Sequence, residues 1–104
     1  MINNVQLTTT ETSILTSGAA EVNAVLSIIF CNTSASSKFI TLYVYSSGGS
    51  AGDNTTVVKN LEIPAEDTWI WTGDEKIILE ASGVISGIAD VASSITATIN
   101  YYTL

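Results

Sequence analysis

The sequence predicts an all-β chain: an antiparallel β-sandwich, jelly-roll-like, with seven or eight short strands in a single domain over residues 1–104. Three observations predict it. Thr, Ser, Val and Ile dominate, and the β-branched residues among them favour strands. Apolar residues alternate with polar ones instead of recurring at helical spacing. Turn signals interrupt the pattern at roughly ten-residue intervals, the rhythm of sandwiches and jelly rolls.

The first strand is expected from Val5 to Thr10, continuing to about Leu15, where Ser17-Gly18-Ala19-Ala20 breaks it. Val22 to Cys31 follows, with Ala24, Leu26, Ile28 and Phe30 on one face. Asn32 to Ser37 is a polar loop. Lys38 to Tyr45 carries the cleanest alternation: Ile40, Leu42 and Val44 on one face, Phe39, Thr41, Tyr43 and Tyr45 on the other. Ser46 to Asn54 is a Gly- and Ser-rich loop. Thr55 to Ile63 is a strand with Val57, Lys59, Leu61 and Ile63 alternating against Val58 and Asn60, and Pro64 ends it because proline cannot donate to a ladder. Thr68 to Thr72 places Trp69 and Trp71 on one face, and a turn is expected at Thr72-Gly73-Asp74-Glu75. Lys76 to Ala81 points Ile77 and Leu79 inward, Ser82-Gly83 turns the chain, and Val84 to Ala89 is short. Ser94 to Tyr102 closes the fold with Ile95, Ala97, Ile99 and Tyr101 on one face. The predicted core is Leu26, Ile28, Ile40, Leu42, Val44, Leu61, Ile77, Leu79, Ile95, Ala97 and Ile99.

Only 12% of residues are charged, against about 25% in ordinary soluble domains. Ser, Thr, Asn and Gly replace the usual Lys and Glu, so either a neutral polar skin or a surface covered by partners is implied. Net charge is −7 with three lysines and no arginine, which argues against nucleic acid and against anionic membrane as partners. No apolar run approaches the about 20 residues of a membrane span. Met1-Ile2-Asn3-Asn4 lacks the basic and apolar segments of a secretory leader, so synthesis and use in the cytoplasm are expected. Cys31, the only cysteine, ends an apolar run and is expected to be a buried, inert thiol.

The chain has no histidine, which removes the commonest general base and the commonest transition-metal ligand. Ser-His-Asp and Cys-His arrangements are impossible within it, and an ordinary structural zinc site is out of reach. Gly48-Gly49-Ser50-Ala51-Gly52 lacks the strand-to-helix context of a phosphate loop. Glu62, Glu66, Asp67, Asp74, Glu75 and Glu80 are the densest acids, yet most flank turns, where carboxylates are solvated. Asp74 with Glu75, or Asp53 with Asn54, suit a hard cation by ligand type but lack a calcium-loop spacing. The expectation is a non-enzyme with no catalytic residues, no cofactor and no metal.

The aromatic residues remain. Phe39, Tyr43 and Tyr45 fall opposite the predicted core, Trp69 and Trp71 share a face, and Tyr102 lies near the C-terminus. These six are the candidate partner-contact residues. Packing beneath a loop, contact with another protein and a platform for sugar are all open readings.

The order of segments carries a resemblance. Leu26 to Ser36 (LSIIFCNTSAS) is followed by Ile40-Thr41-Leu42, then Leu61-Glu62-Ile63-Pro64-Ala65, then Gly73 to Ala81 (GDEKIILEA) and an alternating final strand. Nearly the whole chain resembles small β-sandwich virion proteins of tailed bacteriophages. The resemblance implies a structural part of the particle with no catalytic residues to transfer. A capsid decoration, or cement, protein is the first expectation. It would stabilise the phage head through contacts with the major capsid protein, seated on the capsid surface of the virion after synthesis in the host cytoplasm. A neck, tail or fibre component and a carbohydrate- or receptor-binding module are the alternatives. A homo-oligomer is expected, with a trimer favoured. The termini and the Ser46–Asn54 loop are the segments suited to reach a neighbour.

Overall fold

The computed structural model describes residues 1–71 and 77–104 in full. Its strands are β1 (Ile2–Gln6), β2 (Thr12–Thr16), β3 (Asn23–Asn32), β4 (Lys38–Tyr45), β5 (Thr56–Ile63), β6 (Thr68–Leu79), β7 (Val84–Ala89) and β8 (Ile95–Thr103), with a 3-10 turn at Asp53–Thr55. They form two four-stranded sheets, β1-β8-β3-β6 and β2-β7-β4-β5. The antiparallel pairs are nested: β1 with β8, β2 with β7, β3 with β6, β4 with β5. Successive nested pairs fall in alternate sheets, as in one long hairpin wound around a barrel axis. That winding is the jelly roll, so the all-β antiparallel sandwich read from the sequence is the observed fold.

One hydrophobic cluster fills the space between the sheets. Val25, Ile28, Phe30, Leu79, Ile95, Ala97 and Ile99 enter from the first sheet, and Ile14, Leu15, Ile40, Leu42, Ile63, Ile85 and Ala89 from the second. Val44, Leu61 and Ile77 pack at its margin, partly buried. Gly87 sits where β7 passes closest to this core: a Cβ there would meet the Thr41 carbonyl at 3.2 Å and the Ile14 and Leu7 methyls at 3.5 Å.

Five expectations are corrected. Leu26, expected in the core, is 38% exposed. The register of β3 shifts between Val25 and Ser27 against both β6 and β8, so Val25 takes the inward place and Leu26 turns out. A bulge re-aims every side chain before it relative to those after. In β5 the same effect reverses the pattern read from Val57. Val58 and Leu61 pack against the core and Val57 is exposed, because Asn60 adopts a left-handed φ of 49° beside irregular β4–β5 pairing. The single N-terminal strand divides into β1 and β2, one in each sheet. Leu7 and Ile14, of opposite parity, are both buried, and the turn between is held by the Thr8 hydroxyl, 3.0 Å from the Thr10 carbonyl and from the Thr12 hydroxyl. Short hydroxyl side chains of this kind compete with the ladder for backbone partners. Cys31, expected to be buried, is partly exposed. The turn expected at Thr72 to Glu75 lies outside the described residues, and β6 extends from Thr68 to Leu79 where two strands were expected.

Both ends of β3 are buried asparagines. Asn23 Nδ2 donates to Ser17 Oγ at 2.9 Å, Ser17 Oγ donates to the Leu79 carbonyl at 3.1 Å, and Thr103 Oγ1 donates to Asn23 Oδ1 at 2.7 Å. At the other end Asn32 Nδ2 donates to the carbonyls of Ser36, Ile63 and Pro64 at 2.9, 2.9 and 3.1 Å. Asn32 Oδ1 accepts from Ser34 N at 2.9 Å and from Ser34 Oγ at 2.8 Å. These two side chains clamp the loops at opposite poles of the sandwich. Among the described residues no buried side-chain polar atom lacks a partner.

Candidate functional site

The outer face of the β2-β7-β4-β5 sheet carries Phe39, Tyr43 and Tyr45 on alternate positions of β4. Phe39 is exposed, and its backbone is fixed to the β7–β8 loop through Asp90, whose Oδ1 accepts from Phe39 N at 3.0 Å. Between Phe39 and Tyr43 the row is interrupted. Thr41 is buried and its Oγ1 accepts from Asn60 N at 3.2 Å, leaving a dimple of about 70 Å³ lined by Phe39, Asn60 and Ile88.

Tyr45 is tied down at the far end of the row. Its hydroxyl donates to Glu11 Oε2 at 2.5 Å, and the buried Ser86 donates to the same oxygen at 2.6 Å. Ser86 first, then Tyr45, holds the Glu11 carboxyl below its ordinary value, because both hydrogen bonds favour the anion. The same bond to Glu11 pushes the Tyr45 phenol up. Glu11 therefore covers a hydroxyl that would otherwise face solvent from the centre of the sheet.

Trp69 and Trp71 belong to the other sheet and point toward the core, partly buried against it. Trp69 stacks on Phe30 with ring centroids 5.7 Å apart and an interplanar angle of 29°. Tyr102 lies on the outer side of that same sheet, 47% exposed. The six aromatic candidates thus divide among three places: the outer face of one sheet, the core margin, and the outer face of the other sheet.

The acidic residues disperse as well. Glu62 lies in β5 opposite Phe39, Glu66 and Asp67 precede β6, and Glu80 follows it. Asp53 meets the Lys59 ammonium at 3.5 Å on the surface. Asp74 and Glu75 lie outside the described residues. Among the described residues no cluster of three or more His, Cys, Asp or Glu side chains is placed to hold a metal. A cleft of about 220 Å³ opens between the ends of β4 and β6, lined by Val44, Tyr45, Ile78 and Gly83. It is smaller than the roughly 300–1,000 Å³ of small-molecule pockets. Among the described residues no helix is long and apolar enough to cross a membrane.

The surface that sequence reasoning missed is the outer face of the β1-β8-β3-β6 sheet. β1, β3 and β8 contain no charged residue at all. Cross-strand pairing sets Ile70, Ile29, Thr98 and Asn4 side by side, and Thr98 Oγ1 donates to Asn4 Oδ1 at 2.8 Å. A second row joins Ile78, Ala24 and Tyr102. Ile70 and Ile78 are 49% and 51% exposed. The signal is present in the sequence of β1, β3 and β8, which mix apolar residues with Thr, Ser, Asn and Gln and never with Lys or Glu. No family model matches the chain, and neither the curated proteins nor the solved structures gave a significant match.

Proposed function

We propose that this chain is a non-catalytic structural protein of a bacteriophage virion, a capsid decoration protein that binds the major capsid protein and stabilises the head. The observation that carries the reading is the exposed face of the β1-β8-β3-β6 sheet, whose strands β1, β3 and β8 contain no charged residue, on a chain of net charge −7. A surface of that kind costs free energy in water and repays it when another protein covers it. The strand and loop order that resembles small virion sandwiches supplies the biological setting. In that setting the protein works as a homo-oligomer on the capsid surface and favours the shell state it binds, by mass action. The exposed Phe39 and the acidic loops supply a second, differently composed surface for the shell.

The test is composition and imaging of intact particles. The reading expects the chain in hundreds of copies on the capsid lattice. Presence at one vertex only moves the protein to the neck or tail. Absence from particles overturns a virion role.

A further inference from the structure

We infer that the outer face of the β1-β8-β3-β6 sheet is the contact between two copies of this chain, packed face to face about a two-fold axis. The inference deepens the homo-oligomer in the proposed function and rests on that reading for its biological setting; it assigns the same sheet face to a second copy and leaves Phe39 and the acidic loops to meet the shell.

Leu26, Ile29, Ile70, Ile78 and Tyr102 form the apolar part of the face, on the β3–β6 side and at the start and end of the paired strands. The bulge between Val25 and Ser27 is what turns Leu26 outward, at the cost of a ladder irregularity in the centre of the sheet. Charge selects the occupant. The described side chains of this face are all neutral; Asp74, Glu75 and Lys76 of β6 lie outside the described residues, and the other acids that give the net −7 lie on loops and on the other sheet. A foreign partner attracted by charge would meet those loops. A second copy, related by a two-fold, lays neutral on neutral and apolar on apolar across the described residues of the contact.

The size is also adequate. The nine residues of β8 at about 3.4 Å each, and four strands about 4.8 Å apart, give a footprint of roughly 500 Å². Two such faces remove roughly 1,000 Å² from water before side-chain relief is added, which is about the floor for a specific interface. The result is a four-layered stack, with each face used once.

Cys31 provides an internal reporter. It lies on this face between Thr68 and Thr96, partly exposed in the single chain. The experiment combines sedimentation mass with the rate of Cys31 labelling by a maleimide. The native chain is expected at twice its monomer mass at high concentration, falling to the monomer on dilution, with labelling accelerating several-fold over the same range. Ile70→Lys and Ile78→Lys, both at exposed positions, are expected to halve the mass at high concentration and to label fast throughout, with unchanged circular dichroism. Phe39→Lys, on the opposite sheet, is expected to leave the pair intact. A native mass of one or three chains at every concentration overturns the inference. So does a labelling rate indifferent to concentration, or dissociation by Phe39→Lys and not by the isoleucine variants. A monomer that still decorates particles sinks this pairing alone. A pair absent from particles sinks the virion role alone.

Discussion

The side-chain amide of Asn32 lies 2.9 Å from the carbonyl oxygen of Ile63, 31 residues further along the chain. That bond joins the end of β3 in one sheet to the end of β5 in the other. Because Asn32 and Ile63 are both buried, the Ile63 carbonyl loses its bond without gaining water when the side chain is removed.

Asn32→Ala is therefore expected to destabilise the fold by about 1–3 kcal/mol, read as a lowered urea midpoint with an unchanged slope. A change within a few tenths of a kcal/mol would mean that the two loops hold each other without it. Asn32→Asp is expected to be worse, since a carboxylate would face the carbonyls that now accept from the amide.

The bulge in β3 makes a paired prediction. Leu42→Asp places an unpaired charge between the sheets at a position 1% exposed and is expected to abolish folding. Leu26→Asp, with the same chemistry, is expected to shift stability by less than about 1 kcal/mol, measured on dilute protein. Unfolding by both variants would show that Leu26 belongs to the core after all.

Glu11 makes stability depend on acidity. Hydrogen bonds from Ser86 and Tyr45 lower its pKa in the fold, so its contribution is fully present above the ordinary carboxylate value of 4.5. That contribution is lost as pH falls through the folded value. Glu11→Gln is expected to flatten this part of the stability profile, and the effect is small because the carboxylate is well solvated. At the alkaline end the raised phenol of Tyr45 acts the other way: its share is present below 10.0 and fades as pH climbs through the folded value. Parallel acid profiles for the native chain and Glu11→Gln would show that the carboxylate is not held by those hydroxyls.

Period-2 alternation in β4 and β8 reported the inward faces faithfully: Ile40, Leu42, Ile95, Ala97 and Ile99 are all buried. Alternation fails wherever the ladder gains a residue. Nothing in Val25-Leu26-Ser27 distinguishes a bulge from a continuous strand, since the extra residue is decided by pairing with β6 and β8, far away in sequence. Asn60 gave a hint, as a residue that tolerates the left-handed region, but a single asparagine in a strand is weak grounds. Trp69 read as a contact residue because tryptophan is ambiguous between core and surface, and only the ring of Phe30 beneath it decides. Asn32 was invisible as a structural residue because its partners come from three separate carbonyls that the sequence alone does not bring together. The absence of charge from β1, β3 and β8 is legible strand by strand, but its importance appears only when these three strands are seen to be neighbours.

The nesting of the strands also governs the order of events at the ribosome. β8 is made last, yet it lies between β1 and β3 in the interior of its sheet. Until Ile95 to Thr103 has emerged, β1 has no neighbour and β3 presents an open edge. The nascent chain can close the β4–β5 hairpin early, and its other sheet after β7, but the sandwich cannot be completed before β8 has emerged. Folding therefore waits on the final strand, and the interval before it arrives is when the bare edge of β3 is most open to pairing with the wrong chain.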